Sequence, residues 1–172
     1  GVLAGAAEAG AATELLCLRD YRIEFCRGCY ELHDLPARKC AIDDDMAQLL
    51  PRLSAADGIV FGSPAYFGGI AGLLRTFLDR TGLVHGRLDG KAAALVAVGE
   101  DRFGGQELVA QELSVFCRSH RLRVVGWPLC LQTPAGDKAG SLAGDAAAMA
   151  QAGDLGRLLV AELGEGIKPR KG

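Results

Sequence analysis

The sequence predicts an α/β fold in which a doubly wound parallel sheet carries helices on both faces. Short apolar runs alternate with segments of helical periodicity along the 172 residues, as strands and helices do in such folds. The 24 glycines suit the many tight turns that this alternation needs. Hydrophobic residues make up 49% and charged residues 23% of the chain. This composition predicts one domain, spanning residues 1–172, with a single core.

The first third of the chain predicts a helix, a strand and a long loop. Residues 1–10 are rich in alanine and end in Gly10, as the last turns of a helix and its C-cap do. Residues 13–18 form a short apolar run that predicts a buried strand. Residues 19–41 show little periodicity and predict a loop, which contains three of the six cysteines.

The middle of the chain predicts two helices around a buried strand. Three aspartates at 43–45 precede apolar residues at helical spacing, an arrangement that favours a helix N-terminus. Pro51 is expected to kink this helix or to start a new turn. Residues 58–62 predict a short parallel strand, and the apolar residues from 70 to 82 keep a helical period.

The second half of the chain predicts four further elements and a frayed tail. In chain order they are a buried strand at 92–98, a helix after Gly104 and Gly105, a strand at 122–127, a helix at 142–163 and the tail at 164–172. Gly153 and Gly156 are expected to weaken the last helix, because glycine is a poor helix former.

Charge and hydropathy argue against several classes of partner. The net charge of -2 does not suit nucleic acid or an anionic membrane, since both attract a basic face. The longest apolar run, residues 92–98, is far shorter than the roughly 20 residues of a membrane span. No signal peptide is recognised, so a cytoplasmic location is expected. The six cysteines are too few for a disulfide scaffold in a chain of this length.

The most specific motif follows the strand predicted at 58–62. Residues 56–68 read ADGIVFGSPAYFG, and residues 74–81 read LRTFLDRT. Together they resemble the NAD(P)H-dependent FMN reductase family, which is related to iron–sulfur flavoproteins and to multimeric flavodoxin-like quinone reductases. Upstream, the Cys-Arg-Gly-Cys segment at 26–29, Cys40 and residues 44–46 are similar to the same family.

The resemblance implies a flavodoxin-like fold with three α/β/α layers and a bound FMN. It further implies an oxidoreductase in which NAD(P)H reduces the flavin and the electrons pass to a quinone, a free flavin or another small acceptor. The flavin carries this chemistry, so no acid–base residue is expected. Members of the family work as homodimers or homotetramers, and the same is expected of this protein.

A loop from Gly62 to Gly69 is the expected cradle of the flavin ring. Ligands of doubly wound sheets bind beyond the carboxyl ends of the strands, where this loop lies. Proline stiffens the loop, backbone N–H groups can meet the polar edge of the ring, and aromatic side chains offer flat faces. The expected contact residues are Ser63, Pro64, Ala65, Tyr66, Phe67 and Gly68. The alternative is an ordinary strand-to-helix turn whose aromatic side chains pack on the core.

A second glycine-rich loop follows the strand predicted at 92–98. The resemblance implies that this loop closes over the flavin through backbone groups. The expected contact residues are Gly99, Glu100, Gly104 and Gly105. The alternative is a charged turn that faces solvent.

The start of the sequence departs from the family pattern. The family opens with a strand and a loop that binds the FMN phosphate, whereas this sequence starts within the expected first helix. In a sheet of order 2-1-3-4-5 the first strand is central. We therefore expect the sequence to be incomplete at its N-terminus, with the phosphate site outside it.

The three clustered cysteines leave several interpretations open. Iron–sulfur flavoproteins carry four cysteine ligands, and the third would fall at Leu32, which cannot bind iron. A cluster is therefore not expected. Zinc held by Cys26, Cys29, Cys40 and His33, or a redox pair of Cys26 and Cys29, are alternatives. The preferred interpretation is that these thiols shape a loop near a subunit interface.

The remaining polar candidates are expected to be structural. We interpret Cys17, Cys117 and Cys130 as core thiols, and His85 and His120 as surface or capping groups. Asp79 and Arg80 are expected to form helix-surface or interface contacts. Two other functions stay open: a flavodoxin-like electron carrier that does not use NAD(P)H, and a cofactor-free interaction protein on the same scaffold.

Overall fold

The middle layer of the molecule is a five-stranded sheet, seen in a computed structural model that describes residues 1–29, 40–101, 104–133 and 141–164. The strands are β1 (Gly58–Tyr66), β2 (Gly69–Ile70), β3 (Ala92–Gly99), β4 (Arg123–Val124) and β5 (Leu129–Gln132). β3 is central and runs parallel to β1 on one side and to β4 and β5 on the other. Only β2 is antiparallel, where it folds back on the end of β1.

Within the described residues, five α-helices cover both faces of this sheet. They are α1 (Val2–Glu8), α2 (Met46–Ala55), α3 (Gly72–Asp79), α4 (Gln106–Ser119) and α5 (Ala146–Gly164). One buried cluster joins the sheet to α2, α3 and α4 through residues such as Leu53, Phe77 and Leu113. A smaller cluster joins the other face to α5 through Leu155 and Leu159. The three-layer α/β/α architecture predicted from the sequence is confirmed.

The strand predicted at 13–18 is absent from the structure. Residues 11–17 have no regular secondary structure, and a short 3-10 helix follows at Leu18–Asp20. Among the described strands, β1 pairs only with β2 and β3, so this segment has no ladder partner. Its apolar residues divide accordingly: Leu16 packs against the core, whereas Leu15 is 76% exposed.

Two other strand predictions needed adjustment. β1 extends four residues beyond Gly62 to Tyr66, because Ser63 and Pro64 still pair with β3. The strand predicted at 122–127 is only the two-residue β4, and β5 was missed. Gly126 has a φ of +65°, and Pro128 has no N–H to donate to a neighbouring strand. The edge strand is therefore interrupted between β4 and β5, which begins at Leu129.

The glycines of the last helix are packing positions rather than weak points. A Cβ built on Gly156 would lie 2.0 Å from the carbonyl oxygen of Val2. One built on Gly5 would lie 2.0 Å from the carbonyl oxygen of Gly153. Since no side chain fits there, the backbones of α1 and α5 are in direct contact. α2 continues through Pro51 to Ala55, so the proline does not end the helix.

No helix within the described ranges combines the length and apolarity that crossing a membrane would require.

Candidate functional site

The carboxyl ends of three parallel strands meet at one edge of the sheet. Ser63 of β1 pairs with Ala97 of β3, and Gly99 at the end of β3 pairs with Gln132 of β5. This edge is where doubly wound folds bind ligands. Both glycine-rich loops singled out in the sequence start here, so the fold brings the predicted contact residues to one place.

A tight hairpin carries two exposed aromatic side chains at this edge. Phe67 and Gly68 have φ values of +51° and +78°, and consecutive positive values are typical of a type I′ turn. A bulky residue in this region of backbone space is uncommon and often marks a functional position. Tyr66 is 63% exposed and Phe67 is fully exposed. These two side chains therefore do not pack on the core, which contradicts the alternative drawn from the sequence.

Ser63 lies behind the hairpin rather than at its surface. Its side chain is buried, its hydroxyl donates to the carbonyl oxygen of Pro64 (2.8 Å), and it accepts from the N–H of Ala71 (2.9 Å). The hydroxyl thus links the end of β1 to the residue before α3. Pro64 is exposed, whereas Ala65 is half-buried and packs against the core.

The two predicted loops touch through a pair of glycines. Gly105, which precedes α4, has a φ of +90°. A Cβ on Gly105 would lie 2.5 Å from the Cα of Gly68 in the hairpin. Only glycine permits this backbone contact, so the two loops form one continuous cradle.

Bonds from its neighbours hold the second loop in place. The carbonyl oxygen of Gly99 accepts from the N–H of Thr133 (2.8 Å), and the N–H of Gly104 donates to the carbonyl oxygen of Asp101 (3.1 Å). Glu100 is exposed at the bend. Arg102 and Phe103 lie outside the described residues.

Sequence reasoning missed Gln106, which begins α4 beneath this loop. Its side chain is buried, and its Nε2 donates to the carbonyl oxygens of Asp101 (2.7 Å) and Leu131 (3.3 Å). The only sequence signal was a polar residue directly after Gly104 and Gly105. A side chain there could equally have faced solvent, so the signal alone was not decisive.

Ion pairs beside the hairpin connect it to two helices. Glu112 of α4 accepts from the N–H of Ile70 (3.4 Å) and from Arg75 of α3 (3.0 Å). Arg75 also pairs with Asp79 at 3.0 Å on the helix surface, as predicted for Asp79. Burial alone would lower the pKa of Arg75, but Asp79 and Glu112 raise it overall.

Arg80 is not at a helix surface, which corrects the prediction from the sequence. It is 5% exposed and forms a two-pronged ion pair with Asp44 at 2.8 and 3.0 Å. It also donates to the carbonyl oxygen of Glu24 (2.7 Å). Burial opposes ionisation of Asp44, but hydrogen bonds from Arg80 and from two backbone N–H groups hold its pKa below the usual value.

One of the clustered cysteines, Cys40, adjoins this ion pair. Cys26, Cys29 and Cys40 are half-buried, and the Nη2 of Arg80 donates to the Sγ of Cys40 at 3.4 Å. The described residues contain no group of three or more side chains placed to hold a metal ion. Leu32, and His33 as one of the four ligands of the zinc alternative, lie outside the described residues.

The other thiols and the histidines divide between core and surface. Cys117 is buried, and burial raises its pKa to about 12. Cys17 is half-buried, but Cys130 is exposed and is not a core thiol. His85 is exposed as expected. His120 is buried instead, against the rings of Phe116 and His85, and is hydrogen-bonded to the Oγ1 of Thr81 at 2.9 Å.

An open cleft of about 450 Å³ lies beside the same edge, between the end of β5 and the start of α5. Its walls include Gln132, Thr133, Asp145 and Gln151. The cleft was not foreseen from the sequence, because β5 itself was not predicted. These walls come from the surroundings of β5 and the start of α5, whereas it is the glycine cradle and the exposed aromatic faces that suit a flat heteroaromatic ligand.

Comparison with known proteins relates this sequence to a family. The family model for NADPH-dependent FMN reductase matches residues 2–129. The iron–sulfur flavoprotein MJ1083 of Methanocaldococcus jannaschii is 38% identical over 122 residues, which are 70% of this chain and 62% of that protein. The NAD(P)H dehydrogenase (quinone) of Geotalea daltonii is 35% identical over 95 residues, 54% of this chain and 42% of that protein.

The fold is shared with flavodoxins. The structure of a flavodoxin from the domain Archaea superposes with a TM-score of 0.63 at 13% identity, covering 95% of this chain and 85% of that one. The chain spans 53 to 64% of the length of five iron–sulfur flavoproteins among its relatives. Because the family model covers most of the chain and the sheet has the expected layers, the chain belongs to the NADPH-dependent FMN reductase family and has a flavodoxin-like fold.

Proposed function

We propose that the carboxyl edge of the sheet binds FMN through its isoalloxazine ring and that the protein is an NAD(P)H-dependent oxidoreductase. The observation that carries the proposal is the contact between Gly68 and Gly105, which joins the two glycine-rich loops into one cradle below exposed aromatic side chains. No side chain stands between the two loops at this contact, so a flat ring can approach their backbone closely. The residues present fit the ring of FMN.

In this proposal the protein binds and orients the ring. Backbone N–H groups from Ala65 to Gly68 and the loop from Gly99 to Gly105 meet its polar rim, while Tyr66 and Phe67 supply apolar faces. Ser63 supports the hairpin from behind. Bound FMN would supply the hydride and electron-transfer chemistry, so no side chain is assigned as an acid or a base.

The acceptor is proposed to be a small molecule such as a quinone or a flavin. A quinone stands in the name of the relative from Geotalea daltonii, and FMN stands in the name of the matching family. We further propose a homodimer or homotetramer in the cytoplasm, with nucleic acid and membranes not among its partners. Phe67 and Leu108 are exposed next to the hairpin, as an interface would require.

An iron–sulfur flavoprotein is the second candidate, since five relatives at 32 to 38% identity bear that name. Leu32 stands where the resemblance expects the third cysteine ligand, which favours the plain FMN enzyme. A flavodoxin-like carrier and a cofactor-free interaction protein remain as alternatives.

The test is FMN binding and turnover by the purified full-length protein. We expect quenching of FMN fluorescence on titration with one equivalent, and oxidation of NADH or NADPH when a soluble quinone is added. Iron and sulfide analysis of the same anaerobic preparation separates the two candidates, because stoichiometric amounts of both would favour the iron–sulfur flavoprotein. A protein that neither binds FMN nor oxidises NAD(P)H would refute the proposal.

A further inference from the structure

Gln106 is a buried side chain that connects two strand ends below the proposed flavin loop. It is 3% exposed. Its Nε2 uses both protons, one on the carbonyl oxygen of Asp101 in the loop after β3 and one on the carbonyl oxygen of Leu131 in β5. One amide therefore holds the loop against the neighbouring strand.

The other end of this amide is unsatisfied. The Oε1 of Gln106 is closed to solvent and accepts no hydrogen bond in the described part of the chain. The amide cannot simply flip, because that would turn Oε1 towards two carbonyl oxygens. A buried acceptor without a donor is unfavourable and calls for an explanation.

The unsatisfied oxygen lies within the glycine-rich loop itself. A Cβ on Gly99 would be 2.9 Å from Oε1, and one on Gly104 would be 3.4 Å away. The backbone of this loop thus closes directly over the amide.

We propose that Gln106 is a positioning residue for the flavin site. Its Nε2 holds the carbonyl oxygen of Asp101, after β3, against the carbonyl oxygen of Leu131 in β5, and among the described residues its Oε1 is a free acceptor beside Gly99 and Gly104. This inference rests on the proposed function. In this inference Gln106 maintains the shape of the loop that faces the ring and does not contact the ring itself.

The test compares substitutions at Gln106 with the same change at Gln111, an exposed residue of the same helix. Gln106→Glu places a carboxylate, which cannot donate, against two carbonyl oxygens. We expect about a tenfold or greater loss of FMN affinity at pH 8. The affinity should recover partly towards pH 5, where the protonated acid regains one donor. Gln111→Glu should bind FMN within about twofold of the wild type at both values.

Two further measurements separate loop positioning from simple filling of space. Gln106→Met keeps the volume but not the hydrogen bonds, so it should lose affinity at both pH values without recovery. The loss should be the same for riboflavin as for FMN, because the loop faces the ring. Thermal unfolding of each variant without FMN identifies any that fail to fold.

The outcomes are distinct from those that test the proposed function. If the wild type binds no FMN, the proposed function fails. If the wild type binds FMN and folded Gln106→Glu and Gln106→Met bind it equally well, the assignment of Gln106 is overturned while the proposed function stands. A loss in Gln106→Glu that does not change with pH would also overturn the hydrogen-bonding role.

Discussion

At the scale of single residues, glycines decide where this protein allows two backbones to meet. Gly105 is buried, has a positive φ and has no room for a side chain beside Gly68. Gly86 also has a positive φ of +83°, but nothing lies within 4 Å of its Cβ position. The two glycines share a positive φ, but only Gly105 has another backbone at the position of a Cβ, which makes them a matched pair.

Gly105→Ala is expected to weaken FMN binding by at least about tenfold, since the new methyl group would separate the two loops. Gly86→Ala carries only the conformational cost, about 1–2 kcal/mol, and should bind FMN like the wild type. Fluorescence titration with FMN measures both affinities, and urea unfolding measures both stabilities. Equal FMN affinity for the two variants would contradict the cradle.

At the scale of elements, one buried ion pair connects the start of α2 to the end of α3. The side chains of Arg80 and Asp44 are 3% and 0% exposed. Asp44 also accepts from the N–H of Met46 (3.2 Å), the first residue of α2, and from that of Glu24 (2.9 Å). The pair therefore organises the chain around the cysteine segment as well as the two helices.

Arg80→Met is expected to destabilise the fold by about 3–5 kcal/mol, because it leaves the Asp44 carboxylate buried without its cation. The double variant Arg80→Met with Asp44→Leu should lose less than the single variant, since no buried charge remains. Arg121→Met, which breaks an exposed pair with Asp89, should cost less than about 1 kcal/mol. Urea unfolding measures all three, and a double variant as unstable as Arg80→Met would refute this account.

At the scale of the whole molecule, one buried histidine couples folding to pH. The hydroxyl of Thr81 donates to the carbonyl oxygen of Leu78, so its Oγ1 accepts from the Nε2–H of His120. The Nδ1 of His120 is then unprotonated, and in the described chain it has no hydrogen-bond partner. Burial, with a smaller effect of the nearby His85, lowers the pKa of His120 below its ordinary 6.5.

Stability should therefore fall as the solution is acidified below pH 6.5. In that range His120 binds a proton in the unfolded chain but stays neutral in the folded protein. The free energy of unfolding therefore continues to fall until the pH reaches the pKa of His120 in the folded protein. This single group contributes at most about 1.4 kcal/mol per pH unit. Urea unfolding at pH 7.5 and 5.5 measures the fall, which should be smaller in His120→Gln. An equal fall in both proteins would show that other groups cause it.

Local patterns carried much of the prediction. The alternation of apolar runs and helical periods identified the layers, because each element shows its own period whatever its neighbours are. The Ser-Pro-Ala-Tyr-Phe-Gly motif marked the segment after β1 as a loop for the same reason, but its β-hairpin form was not predicted. The prediction of a strand at 13–18 was wrong because a strand needs a neighbouring strand to bond its backbone. The residue types of a segment indicate its own preference for a strand, but not whether such a neighbour exists.

The sequence by itself determined the fold class, the family and the two loops that we propose bind FMN, since these depend on residues close together in the chain. Only the tertiary structure decided that Gly68 meets Gly105, that Arg80 is buried against Asp44 and that Gln106 joins two strand ends. Each of these contacts joins residues 25 to 37 positions apart. Their partners are set by how the sheet orders its strands, which no local pattern records.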